Sequence, residues 1–102
     1  MQSMANRKAC DELENEGDEL RLAREIDHWI DFKDESGKAE FLKTALLMGF
    51  RKRAAYAGGI QIYRVDIPSR EDIDGLTHPL FRLALEFGGV YIRWKCGVVH
   101  VI

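Results

Sequence analysis

Cysteine, proline and histidine are scarce in this chain of 102 residues, at two, two and three copies. Cys10 and Cys96 stand far apart with no CxxC pair, which excludes a dithiol redox motif and a disulfide-dense scaffold, so both thiols read as small apolar residues. His28, His78 and His100 share no ligand spacing, and the sequence predicts neither a metal site nor a cofactor. No stretch approaches the roughly 20 apolar residues that a bilayer-spanning helix needs, and the segment MQSMANRKACDELENE has no apolar run of the signal-peptide kind. A soluble cytoplasmic protein without a membrane partner is therefore expected. Charge of one sign is also missing: 15 Lys and Arg against 17 Asp and Glu leave a net charge of -2. That balance gives no wholesale attraction to nucleic acid, so a charged partner must meet a local patch.

What is present is a well-patterned small domain, 46% hydrophobic and 31% charged. Residues 4–16 read as a peripheral helix with a thin apolar stripe (Met4, Ala5, Ala9, Cys10, Leu13) ending at Gly17. From Arg24 to Lys33, Ile26, His28, Ile30 and Phe32 alternate with Asp27, Trp29, Asp31 and Lys33, the period of a strand with one face in the core. Asp34 is placed to cap a helix whose Phe41, Leu42, Ala45 and Leu46 share a face and whose stop is Gly49. Phe50–Tyr56 and Ile60–Ile67 are two strand-like runs around Ala57, Gly58 and Gly59, the punctuation of an antiparallel hairpin. Ser69 starts a second amphipathic segment carrying Ile73, Leu76, Leu80, Leu83, Ala84 and Phe87; Pro79 either kinks it or splits it. Val90–Ile102 closes the chain as a strand with Gly97 as a candidate bulge. The expected fold class is α+β, a ferredoxin-like β-α-β-β-α-β domain over residues 18–102 with a four-stranded antiparallel sheet, preceded by a peripheral helix in residues 1–17.

Two stretches resemble landmarks of the RraB family, protein inhibitors of ribonuclease E. One is Asp27, His28, Trp29, Ile30, Asp31 and Phe32, followed by the amphipathic helix and Gly49-Phe50. The other runs from Leu83 through Phe87, Gly88, Gly89, Val90 and Tyr91 to Trp94, similar to a closing Gly-Gly-x-Tyr-Asp-Gly-Trp segment. The resemblance covers residues 18–101, and Ile92, Arg93 and Lys95 depart from it by replacing an acidic turn with a basic one. It implies a non-catalytic regulator that binds a protein partner, ribonuclease E or its degradation assembly, and so lowers RNA turnover. The candidate contact residues on that reading are Trp29, Tyr91, Arg93 and Trp94.

Read from the residues alone, His28 belongs to the core edge, whereas Trp29 projects from the opposite side of its strand, toward a partner or under a loop or the N-terminal helix. Arg51, Arg53 and Arg64 form a candidate basic patch, and with an open sheet face they give a second reading, an RNA-binding module. The aromatic-rich signature of sheet-based RNA binders is missing from both hairpin strands. No catalytic residue is expected: nucleophile-elbow, phosphate-loop and His-Glu-x-x-His motifs are absent, and the two asparagines, Asn6 and Asn15, both lie in the N-terminal segment.

Overall fold

The computed structural model describes residues 2–15, 22–69 and 72–97. The predicted stop at Gly17, the end of the last strand and His100 lie outside them. The elements run α1 (Gln2–Asn15), β1 (Arg24–Phe32), α2 (Glu35–Leu47), β2 (Arg51–Tyr56), β3 (Gly59–Asp66), α3 (Ile73–Glu86) and β4 (Gly89–Cys96). The four strands form one sheet in the order β2-β3-β1-β4, and every neighbouring pair is antiparallel.

Strand β1 alternates as the sequence predicts. Ile26, His28, Ile30 and Phe32 are buried, while Glu25 and Asp31 are exposed and Asp27 and Trp29 half-buried. Ile60 and Ile62 of β3 join the inward set, and Phe41 and Ala45 of α2 with Ile73, Leu80 and Ala84 of α3 complete a single core on that face. The Asp34 carboxylate accepts from the Gly37 N–H at 2.8 Å and the Ser36 hydroxyl at 2.8 Å, the capping arrangement expected at an α2 start. These two donors, Gly37 first, hold Asp34 below the ordinary carboxylate range. Gly49, at φ 91°, ends α2 in the left-handed region.

Pro79 neither ends nor splits its helix: α3 is continuous through it. The residue is exposed, and the helix on either side of it is anchored by the buried Thr77 and Leu80, so the missing N–H is tolerated on the solvent side. Gly37 has a tighter role. A Cβ there would overlap the carbonyl oxygen of Phe87, so the first turn of α2 touches the end of α3 through backbone alone. Gly37→Ala is expected to cost about 1–3 kcal/mol in urea unfolding. Gly75→Ala, whose Cβ would meet nothing within 4 Å, is expected to stabilise α3 by about 0.5–1 kcal/mol. Equal effects of the two changes would contradict the close contact.

The sheet carries two irregularities. The β1–β4 register shifts between Trp29 and Ile30: Trp29 pairs with Arg93 and Ile30 with Tyr91, leaving Ile92 as the extra residue. A bulge thus lies at Ile92, and the segment beyond Gly97 that would test the bulge expected there is outside the described residues. Ile92 and Arg93 are both exposed in succession, and the phase resets so that Trp94 and Cys96 are buried. In the β2–β3 pair, Arg53 is the extra residue between Lys52 and Ala54.

Candidate functional site

Cross-strand partners share a face, so the register fixes what lies opposite the helices. Glu25, Asp27, Trp29 and Asp31 of β1 line up there with Val65, Tyr63, Gln61 and Gly59 of β3. Arg51, Ala54 and Tyr56 enter from β2, and Arg93 and Lys95 from β4. Helices α2 and α3 pack into the core on the other side.

Two rings on this open face are each covered by a guanidinium. The Arg93 guanidinium carbon is 4.3 Å from the Trp29 ring centroid, and that of Arg53 is 3.9 Å from the Tyr63 ring. Being the bulged residue, Arg53 also donates across the sheet, from Nε to Asp27 Oδ1 at 2.7 Å and from Nη2 to Glu25 Oε1. Gln61 Nε2 donates to the same Asp27 oxygen at 3.1 Å. The Glu25, Asp27 and Arg53 charges are therefore spent on one another. Arg51, Arg93 and Lys95 make no ion pair among the described residues.

The four candidate contact residues divide by face. Trp29 and Arg93 meet on the open side, whereas Tyr91 and Trp94 turn to the core side and are 5% and 8% exposed. Tyr91 Oη lies 2.7 Å from His28 Nδ1, inside the core beside Phe50. Burial pushes His28 down to about 4, with Arg64 adding to the effect and Asp27 opposing it, and burial likewise pushes Tyr91 well above its usual value. Trp94 Nε1 donates to Asn6 Oδ1 at 2.8 Å, so this indole belongs to the seat of α1. Helix α1 packs on α3 and bonds Trp94, whose side chain shares the core side of the sheet with His28, whereas Trp29 is half-buried on the opposite side.

Arg51, Arg53 and Arg64 do not form one basic patch. Arg64 lies on the helix side of β3, where its Nη1 donates to the Met48 carbonyl at 2.8 Å, its Nε to Asp66 at 2.8 Å, and its guanidinium covers Phe50. It serves the end of α2. Arg53 is neutralised, and only Arg51 of the three is left exposed without an ion pair among the described residues. Sequence reasoning missed Tyr63, Glu25 and Asp27 as parts of the face; the alternation of β3 carried Tyr63, but the reach of Arg53 depends on its bulge.

The described residues contain no group of three or more His, Cys, Asp or Glu side chains able to hold a metal ion. Cys10 and Cys96 are buried free thiols. No helix among the described residues is long and apolar enough to cross a membrane.

Residues 3–96 match the family model described as RraB, regulator of ribonuclease activity B. The match begins within α1 and ends with β4, so it takes in the entire sheet and both faces. The chain belongs to this family. Among curated proteins, no match is found.

Proposed function

We propose that this member of the RraB family is a non-catalytic cytoplasmic regulator that binds a ribonuclease, ribonuclease E or the assembly around it, through the open face of its sheet. The carrying observation is Trp29, held under Arg93 at the centre of a sheet face that no described helix covers. Large aromatic and arginine side chains dominate the energetics of protein interfaces, and here both come preorganised on adjacent strands. Tyr56, Val65, Val90 and Ile92 surround the pair with exposed apolar surface. A ferredoxin-like arrangement is part of this reading, supported by two outer strands, β2 and β4, flanking β3 and β1 in the antiparallel order observed. Regulation would follow from occupancy alone, the domain covering a segment that the nuclease needs for RNA or for its assembly.

An RNA ligand on the same face is the second reading, favoured by the aromatic rings of Trp29 and Tyr63. It ranks lower because each ring already stacks on a guanidinium, and Arg53 is committed to two carboxylates.

The test is cleavage of a defined RNA by purified ribonuclease E. The domain alone is expected to cleave nothing, the wild type to slow the nuclease, and Trp29→Ala to lose that effect while keeping a wild-type unfolding curve. A folded Trp29→Ala variant that inhibits as well as the wild type would show that the open face is not the binding surface.

A further inference from the structure

Strand β4 is one of the two outer strands of the sheet: β1 pairs with one of its sides, and no described strand pairs with the other. Natural sheets blunt such an edge or use it, since its unpaired N–H and C=O groups form a template for another strand. Here the edge borders a groove of about 450 Å³ between α1 and β4, lined by Ala9, Glu12 and Leu13 on the helix and by Arg93 to Cys96 on the strand. The groove opens to solvent.

The side chains along this edge carry an uneven charge. Among the described residues, Arg93 and Lys95 are exposed and make no ion pair, and Glu12 is the one acidic residue lining the groove. The bulge turns two successive side chains, Ile92 and Arg93, outward together, so the edge offers an apolar contact beside a cation; Val90 adds a second apolar position two residues earlier. In a chain of net charge -2, that strip is locally basic.

We propose that β4 takes up an acidic, extended segment of a protein partner as a fifth strand. Backbone pairing along Val90–Lys95 would supply affinity, while Arg93 and Lys95 would select carboxylates and Val90 and Ile92 would contact alternate apolar side chains. The inference rests on the open-face reading and refines it by naming the chemistry of the bound segment.

The probe is a labelled synthetic peptide of alternating glutamate and valine, compared with the same peptide carrying lysine for glutamate and with a single-stranded oligouridine. Binding is followed by fluorescence anisotropy and by backbone amide shifts. The acidic peptide is expected to bind, to move the amides of Val90 to Lys95, and to weaken steeply as salt rises from about 0.05 to 0.5 M. Lys95→Glu, which touches neither ring, and the double variant Arg93→Glu with Lys95→Glu are each checked for a wild-type melt. The double variant is expected to bind the peptide about tenfold more weakly. Equal binding of both peptides, shifts centred on β2, preference for the oligouridine, or an unchanged affinity in the double variant would each overturn the proposal. If the peptide fails while Trp29→Ala still abolishes ribonuclease regulation, the edge strand is wrong and the open face stands.

Discussion

Replacing Asn6 by leucine is expected to lower the stability of the domain by about 2–4 kcal/mol, because this one amide is the polar hub that seats α1. Asn6 is 1% exposed. It accepts from Trp94 Nε1 at 2.8 Å and donates from Nδ2 to Asp74 Oδ1 at 2.7 Å and to Thr77 Oγ1 at 2.8 Å. Thr77 passes the chain on, its hydroxyl donating to the Ile73 carbonyl at 3.0 Å, and no buried side-chain polar atom among the described residues is left without a partner. Leucine keeps the volume but strands the buried Trp94 N–H without its acceptor, which is the costly half of losing a hydrogen bond. Asn6→Asp is expected to be worse at neutral pH, since it would set a carboxylate against that of Asp74, and to recover in part on acidification. Urea unfolding of the three proteins at pH 7 checks the order; a loss below about 0.5 kcal/mol for Asn6→Leu would mean that α1 is seated by its apolar residues alone.

Acid should unfold this domain earlier than its carboxylates alone require, because of His28. In the unfolded chain an imidazole titrates near 6.5; in the core, burial above all, then the charge of Arg64, brings His28 to about 4. Between these values the unfolded chain takes up a proton that the folded chain refuses. The contribution is thus complete above pH 6.5 and is lost progressively as pH falls toward 4, amounting to about 3 kcal/mol at roughly 1.4 kcal/mol per unit. For a small domain that is a large share of the total. Unfolding free energies measured from pH 7.5 to 4 are expected to fall steeply for the wild type and less for His28→Gln, which cannot charge. Parallel profiles would show that His28 is solvated or protonated in the folded protein.

Much of the fold was legible because its signals are local. The alternation of β1, the cap at Asp34, the Gly58 turn and the helical spacing of Ile73, Leu80 and Ala84 each act within a few residues of chain. The family resemblance was legible for the same reason, since its landmarks are contiguous.

The candidate site was only half legible, and the two β-bulges explain most of the rest. Strict alternation from the inward Tyr91 would send Arg93 inward and Trp94 outward, beside Trp29; the extra residue Ile92 reverses both. Nothing in the local pattern of Val90, Tyr91, Ile92 and Arg93 announces that reversal, although Ile92 and Arg93 are also where the chain departs from the landmark it otherwise resembles. Arg53 is similar: only the shift between Lys52 and Ala54 allows it to span Glu25 and Asp27. The Asn6 hub was invisible for a different reason. Its partners Asp74, Thr77 and Trp94 are 68, 71 and 88 residues away, and no pattern in the α1 segment marks an asparagine as buried.

On the proposed function, Trp29 and the sheet face around it bind a ribonuclease. Calorimetric titration of nuclease-treated, RNA-free ribonuclease E with the wild-type domain and with folded Trp29→Ala tests it most directly. Saturable binding by the wild type, weakened at least about tenfold in Trp29→Ala, is the predicted result, as expected for an aromatic anchor at an interface centre. Equal binding by the two proteins, or none by either, would contradict it.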